Sequence, residues 1–270
     1  MCLCKEMHSR YTIGKMKFDE LDKKMRAFEL SMDQIVTPEV YIVVRLDGRG
    51  FTKLTKEILP LARPFDMRFR DTMIEVVKHL MDCGFKITYG YTQSDEISLL
   101  FDKGENGFGR KTRKIVSVLA GEASARFSLA MNTIGAFDCR IVPLPNSDLV
   151  VDYFRWRAED ANRNALNAYC YWKRRDSGVS RSVATEQLRG MSVADKNELL
   201  FKQGINYNSI PSWQKRGVGF FYSPVDRQSI NPKTNEEVVV CRNQLKMQED
   251  LPKGENYNLM IRELLRTELK

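Results

Sequence analysis

The alternation of apolar and polar residues predicts a chain built from both strands and helices. Residues 41–51, YIVVRLDGRGF, form an apolar run that ends in a glycine-rich turn, which is typical of a buried strand. Residues 85–101 alternate on both sides of a polar centre, as a β-hairpin does. Residues 67–84 place apolar side chains at helical spacing and finish at Gly84, where a helix can stop.

Further helices and one more strand complete this plan. A charged helix is predicted from Met16 onward, and three later segments read as helices: 111–131, 149–172 and 194–201. Residues 137–145 read as a strand that is closed by prolines. This order predicts an α+β fold, with a mainly antiparallel sheet flanked by helices and a helical C-terminal half.

Three parts are expected along the chain. Residues 1–15 look unlike the rest and are predicted to be a poorly ordered extension. Residues 16–148 are expected to form the sheet-containing domain. Residues 149–270 are expected to form a helical region packed on it.

Composition favours an intracellular protein with an anionic partner. The net charge is +8 and the pI is near 9.1, which suits nucleic acid or nucleotides. No apolar run is long enough to cross a bilayer, and the N-terminal residues lack the apolar core of a secretory signal. The six cysteines form no CxxC pair and there are two histidines, so structural zinc is not expected, and the thiols fit a reducing cytoplasm.

Two acidic residues are the strongest candidates for catalysis. Asp47 directly follows the first strand, and Asp95 lies at the tip of the hairpin or early in its second strand. A strand end and an adjacent hairpin can bring these carboxylates together. The two charges would repel each other, and a divalent cation removes that conflict. Mg²⁺ prefers such oxygen ligands, and two ions can clamp the attacking and leaving oxygens of a phosphoryl transfer.

Ordinary turns account for the same residues. Asp-Gly is a common hairpin-turn dipeptide, and 94–96 reads equally as a turn or a solvated strand edge, so the spacing taken alone favours turns. Gly48 would let the backbone approach a phosphate or metal closely, and its carbonyl is an available ligand. Glu96 is expected to face away from Asp95, because neighbouring side chains alternate along a strand.

A glycine-rich loop at 104–112, GENGFGRKT, resembles a phosphate-binding loop without being one. Arg110 intervenes between Gly109 and Lys111, so the spacing excludes a Walker A motif. A helix start with added positive charge still attracts phosphate. Lys111 and Lys114 share a helix face, so both could touch one triphosphate; a solvated basic helix start is the alternative.

Residues 153–175 mix arginines with aromatic residues, a combination that suits RNA. Trp156 and Trp172 are interpreted as core residues. The RNA-contact candidates are basic or amide side chains farther along: Lys173, Arg174, Arg175, Lys196 and Asn197.

Several of these segments together resemble the tRNA(His) guanylyltransferase family, including bacterial and archaeal relatives that repair truncated tRNA 5′ ends. The resemblance runs from about Met16 to Gly219. The matching segments are 45–51, 89–101, 108–114, 152–172 and 189–208.

The resemblance implies a palm-like catalytic domain that extends RNA in the 3′-to-5′ direction. Asp47, the Gly48 carbonyl and Asp95 correspond to the family's ligands for two Mg²⁺ ions. Lys111 and Lys114 fall where the family binds a triphosphate, and Arg63 falls where it commonly has lysine. The remaining nucleotide contacts implied by the resemblance are Arg49, Gly50, Phe51, Thr52 and Ser94.

The implied chemistry uses nucleoside triphosphates and tRNA. ATP adenylylates the 5′ phosphate, the 3′-hydroxyl of an incoming GTP or other NTP attacks it, and pyrophosphate is then removed. The resemblance also implies a homotetramer. The family's HINNLYN-like motif is altered here: Asn162 replaces its histidine, Asn164 is retained as a candidate tRNA contact, and Ala165 and Ala168 replace asparagines.

That altered motif favours template-dependent repair over strict addition of one G to tRNA(His), which is the nearest alternative. Two remoter alternatives are a nucleotidyl cyclase, because palm-like domains with paired aspartates also cyclise NTPs, and a non-catalytic RNA-binding protein.

Overall fold

The computed structural model describes residues 17–230, 233 and 235–266. The predicted extension at 1–15 therefore lies outside the described residues. The helices are α1 Phe18–Leu30, α2 Phe51–Lys53, α3 Met67–Met81, α4 Thr112–Met131, α5 Ser147–Asp176, α6 Arg181–Leu188, α7 Val193–Lys202, α8 Ser212–Arg216 and α9 Glu255–Arg266. The strands are β1 Tyr41–Arg49, β2 Ile87–Gln93, β3 Glu96–Phe101, β4 Ala136–Leu144, β5 Val218–Ile230 and β6 Glu237–Gln248.

The six strands form one antiparallel sheet in the order β4-β1-β3-β2-β5-β6. The hairpin predicted at 85–101 is confirmed as β2 and β3, and the strand predicted at 137–145 is confirmed as β4. Strand β1 extends through Arg49, so Asp47 lies inside the strand and does not follow it.

Helices cover both faces of the sheet. One core cluster packs α3 and α4 against alternate residues of β1, which are Ile42, Val44 and Leu46. A second cluster on the other face includes Val43 and joins α5 and α9 to the sheet. Since side chains alternate along a strand, Asp47 lies on the same face as Val43, beneath α5.

The prediction of a helical C-terminal half is correct only up to α8. Beyond Gly217 the chain returns to the sheet, where β5 pairs with β2 and β6 pairs with β5. Residues 218–221 contact β2, and the rest of β5 pairs only with β6. The outer part of this hairpin is largely exposed, so its sequence has little of the hydrophobic alternation that marks a half-buried strand. No helix among the described residues is long and apolar enough to span a membrane.

Candidate functional site

The structure brings the two predicted aspartates to the same end of the sheet. Asp47 pairs across the ladder with Glu96 on one side and Asp138 on the other. Asp95 occupies the turn between β2 and β3, and its carbonyl accepts a hydrogen bond of 3.1 Å from the Gly48 backbone N–H. The neighbouring Ser94 adopts a positive φ of 54°, which closes the turn tightly.

The electrostatics of Asp95 show that it is coupled to its acidic neighbours. The pKa of Asp95 is raised to about 6, mainly because burial disfavours the carboxylate; its own backbone N–H and the Ser94 hydroxyl oppose the shift, and the charges of Asp47 and Glu96 add to it. A cation between Asp47 and Asp95 would relieve this repulsion.

The donor set therefore fits a hard divalent ion that completes its shell with substrate oxygens. It consists of two carboxylates and the Gly48 carbonyl, which is the ligand chemistry that Mg²⁺ uses beside phosphates. In the described part of the chain, no group of three or more His, Cys, Asp or Glu side chains could hold a metal by itself. A divalent ion held here would need oxygen atoms of substrate or water to complete its coordination.

The Glu96 carboxylate is already occupied by two arginines. Its Oε1 accepts a hydrogen bond of 2.5 Å from Arg45, and its Oε2 is bound by Arg157 of α5. The Arg157 side chain is 5% exposed and also lies 3.5 Å from Asp160. Glu96 was predicted to face away from Asp95 because side chains alternate along a strand. That reason does not apply, because Asp95 lies in the turn and not in the strand; instead, Arg45 and Arg157 bind the Glu96 carboxylate.

Gly48 is required for packing. A Cβ at this position would lie 2.4 Å from Cγ of Phe51, which is far inside van der Waals contact. Phe51 itself is 2% exposed and packs against the rings of Phe69, Phe127 and Phe137. The Phe51 side chain, predicted to contact nucleotide, is thus mainly a core side chain.

We expect Gly48→Ala to destabilise the fold by about 1–3 kcal/mol, because the added methyl group must displace Phe51 from a filled core. Urea unfolding followed by fluorescence measures this change. Gly121→Ala in α4 is the matched control, since a Cβ there meets nothing within 4 Å. The control should be neutral or stabilising by about 0.5–1 kcal/mol, as expected inside a helix; equal destabilisation by both variants would contradict the packing explanation.

A cleft of about 620 Å³ lies between the β2–β3 turn, α5 and the segment after β1. This volume is in the usual range for ligand sites. Among the predicted nucleotide contacts, it is lined by Phe51, Thr52, Ser94 and Asp95. Arg49 and Gly50 belong to the adjoining turn, where Gly50 has a φ of 74°.

Aromatic and basic side chains form another wall of this cleft. Tyr171 and Trp172 of α5 line it, with Lys56 5.7 Å from the first ring and Arg63 4.1 Å from the second. Arg63 also donates a hydrogen bond of 2.7 Å to the Lys56 carbonyl. Trp172 is therefore not a simple core residue as predicted, and Trp156, which is 53% exposed, is not in the core either.

Lys111 and Lys114 are not brought to the acidic pair within one chain. Lys111 lies 3.0 Å from Asp33, and the preceding Arg110 donates to the carbonyls of Val36, Thr37 and Val40, which come just before β1. Asp47 is at the other end of that strand, roughly 20 Å away at the usual rise per residue. Arg113 and Lys111 lower the pKa of Asp33 to about 2, so these cations are held by a local carboxylate.

The predicted RNA-contact residues are only partly gathered. Asn164 borders the cleft near Asp95, and Lys173 borders an adjoining groove of about 240 Å³ that also contains Arg63 and Trp172. The other four candidates line neither of these hollows. The Arg175 side chain donates to the Val179 carbonyl, and the Asn197 side chain donates to the Val193 carbonyl. The backbone carbonyl of Lys196 accepts from the Cys170 thiol, and Arg174 is half-buried.

Sequence reasoning missed several residues around Asp95. Tyr91 and Gln93 on β2, Lys56 after α2, and Arg157 and Tyr171 on α5 all line the hollows at this end of the sheet. Tyr91 and Gln93 could have been found from the sequence. They are two residues apart on β2, so their side chains lie on the same face of the sheet, the one that α5 covers. The contact of Arg157 with Glu96 joins positions 61 residues apart and has no local signal.

Comparison with known proteins agrees with this geometry. A family profile described as tRNAHis guanylyltransferase matches residues 22–145, and one described as the Thg1 C terminal domain matches residues 148–260. The tRNA(His) guanylyltransferase of Schizosaccharomyces pombe is 32% identical over 201 residues, which cover 71% of this chain and 77% of that protein. That of Neurospora crassa is 36% identical over 197 residues, covering 68% and 67% respectively.

Solved structures show the same fold. A bacterial tRNA(His) guanylyltransferase-like protein in complex with GTP superimposes with a TM-score of 0.71 at 25% identity, over 92% of this chain and 99% of that one. The Saccharomyces cerevisiae tRNA(His) guanylyltransferase gives a TM-score of 0.67 at 24% identity, over 79% and 94% respectively. This likeness confirms the predicted palm-like α+β fold. On the two matching profiles and these relatives, the chain belongs to the tRNA(His) guanylyltransferase family of nucleotidyltransferases.

Proposed function

We propose that this protein adds nucleotides to the 5′ end of tRNA in the 3′-to-5′ direction, in a metal-dependent and template-dependent repair reaction. The observation that supports this most directly is the electrostatically coupled pair Asp47 and Asp95, of which Asp95 lines a cleft large enough for a nucleotide. Two structural relatives were solved in complex with GTP and with ATP, which supports triphosphates as the substrates.

Asp47, Asp95 and the Gly48 carbonyl would hold two Mg²⁺ ions. When bound, these ions supply Lewis-acid chemistry, lowering the pKa of the attacking 3′-hydroxyl and neutralising charge on the transferred phosphate. The chain positions this pair through the hydrogen bond from Gly48 N–H to the Asp95 carbonyl, which ties β1 to the hairpin turn.

The protein's own side chains bind and orient the substrates. Lys56 and Arg181 border the cleft and offer positive charge to phosphates. The Tyr171 and Trp172 rings provide flat surfaces on which a nucleotide base or the terminal base pair of the acceptor stem can stack. Lys111 and Lys114, far from Asp95 in one chain, would reach a triphosphate only at a site formed with another copy, in keeping with the homotetramer that we expect.

The altered motif on α5 supports repair over strict G addition. Asn162 accepts a hydrogen bond from the Tyr207 hydroxyl at both its carbonyl and its side-chain oxygen, so it links α5 to the segment after α7. Ala165 and Ala168 line the cleft beside Asp95, at positions where the motif otherwise places amides. This stretch of the wall therefore has two fewer polar groups with which to select one particular nucleotide or tRNA.

Strict addition of a single G to tRNA(His) is the second candidate. It is supported by the curated relatives, which are named for that activity in yeasts and animals. The two functions differ in whether the opposing base of the acceptor stem determines the added nucleotide.

We expect this protein to add only the complementary nucleotide to a tRNA that lacks its first 5′ residue. The assay offers each NTP singly to four 5′-monophosphorylated tRNAs that differ only in the opposing base. A Watson–Crick match should exceed each mismatch by at least about tenfold, the equivalent of about 1.4 kcal/mol. The intact tRNAs serve as controls. If G were added whatever the opposing base, the repair function would be rejected in favour of strict guanylylation.

A further inference from the structure

A second, smaller cavity lies beside Asp95, between the β2–β3 turn and α5. It has a volume of about 150 Å³. Apart from Ala161, it is lined by polar or titratable side chains: Tyr91, Gln93, Ser94, Asp95, Glu96, Arg157 and Asn164. A polar cavity of this size is built to hold a polar group or ordered water.

The Tyr91 hydroxyl is the least satisfied group of this cavity. Tyr91 is 2% exposed, and its hydroxyl has no hydrogen-bond partner among the described residues. A buried hydroxyl without a partner is unfavourable, so such a group indicates a bound ligand or water. Tyr89, two residues earlier on the same strand, differs in that its hydroxyl is 3.1 Å from that of Tyr257.

The charges around the cavity disfavour a phosphate. Arg157, its one cation, already binds Glu96 and lies 3.5 Å from Asp160, so it is not available to an anion. Asp95 adds negative charge on the cleft side. Tyr91 can donate or accept, and the Asn164 amide, which donates to Asp160 over 3.2 Å, retains its oxygen as an acceptor. The cavity thus matches a neutral hydroxyl group that both donates and accepts.

We propose that this cavity receives the ribose 2′-hydroxyl of the incoming nucleotide, and that Tyr91 makes the protein select ribonucleotides over 2′-deoxyribonucleotides. The inference rests on the proposed function, in which the 3′-hydroxyl of that nucleotide reacts beside Asp95. The 2′-hydroxyl is on the ribose carbon next to the one that carries the 3′-hydroxyl. When the 3′-hydroxyl lies at Asp95, which lines the cavity, the 2′-hydroxyl can therefore enter the cavity. A deoxynucleotide would leave the Tyr91 hydroxyl buried without a partner.

The test compares each NTP with its 2′-deoxy analogue for addition to 5′-truncated tRNA, as a ratio of kcat/KM. Wild type should prefer the ribonucleotide by tenfold or more. Tyr91→Phe removes the hydroxyl and keeps the ring, and it should lower that ratio about tenfold, which is the worth of one buried hydrogen bond. A purely structural role for Tyr91 would lower both rates and leave the ratio as it was.

Tyr89→Phe is the matched control, because it removes a buried hydroxyl from the same strand and face that is not part of this cavity. It should keep the wild-type ratio. Absence of any 5′ addition by wild type would reject the proposed function itself. Normal addition with equal use of both sugars, or an unchanged ratio in Tyr91→Phe, would reject the 2′-hydroxyl site alone.

Discussion

Asp95→Asn is expected to lower the rate of 5′ nucleotide addition by well over a hundredfold while leaving the protein folded. Losing an outer partner of a metal ligand already costs about 10–100-fold, so losing a ligand should cost more. Stability should not fall, because asparagine removes a buried charge that lies beside Asp47 and Glu96. Single-turnover rates on 5′-truncated tRNA, with the melting temperature recorded in parallel, measure both quantities.

Asp152→Asn is the control for this experiment. Asp152 lies on the outer face of α5, where it forms an exposed ion pair of 2.8 Å with Arg155. Its replacement should change neither the rate nor the melting temperature appreciably, since exposed ion pairs contribute about 0–1 kcal/mol. An Asp95→Asn protein that retained most of the wild-type rate would remove this residue from the catalytic site.

Arg157→Met is expected to destabilise the protein by about 2–3 kcal/mol, toward the low end for a broken buried ion pair because Glu96 keeps some exposure. After the substitution, Glu96 keeps only Arg45 of its two arginine partners. The negative charge of Glu96 is then less neutralised, so it acts more strongly on the neighbouring Asp95. Activity should therefore fall as well, because the turn that carries Asp95 loses its link to α5. Urea denaturation and the same single-turnover assay test the two effects.

Arg155→Met gives the same chemical change two residues earlier on the same helix. The Arg155 side chain is 46% exposed, so its loss should cost less than about 1 kcal/mol. A similar loss of stability in both variants would show that the effect comes from helix α5 in general and not from the Arg157–Glu96 contact.

The parts of this fold that were predictable are those with a local periodic signal. The alternation around Thr92–Asp95 marked the β2–β3 hairpin, and the helical spacing after Met67 marked α3, because each of these elements buries one regular face. The acidic pair was predictable for a related reason. Asp47 lies two residues before the end of β1 and Asp95 lies in the hairpin turn, and antiparallel pairing of β1 with β3 brings these positions together.

The parts that were missed depend on contacts between distant residues. Lys111 looked free to bind phosphate, yet Asp33, 78 positions earlier, binds it at the far end of β1. Trp156 looked like a core residue because its spacing fits α5, but the buried face of that helix passes through Tyr153 and Arg157. A buried arginine has no apolar signature, so its contact with Glu96 could only be found in three dimensions.

The requirement for Gly48 also arises from tertiary packing. Its sequence context suggests a turn or a close approach of substrate, whereas the structure places the Phe51 ring where its side chain would be. The strands after α8 were missed for a different reason. Most of β5 beyond Phe221 pairs only with β6 and is exposed, so the residues there carry no consistent inward face.

The central claim is that Asp47 and Asp95 together hold divalent ions at the cleft. Binding of Mn²⁺ to the nucleotide-free protein, followed by the electron paramagnetic resonance signal of the free ion, tests this without reference to turnover. The wild-type protein should bind Mn²⁺ at least about tenfold more tightly than the Asp47→Asn, Asp95→Asn double variant. Equal binding by both proteins would contradict the claim, since the ions would then be held elsewhere.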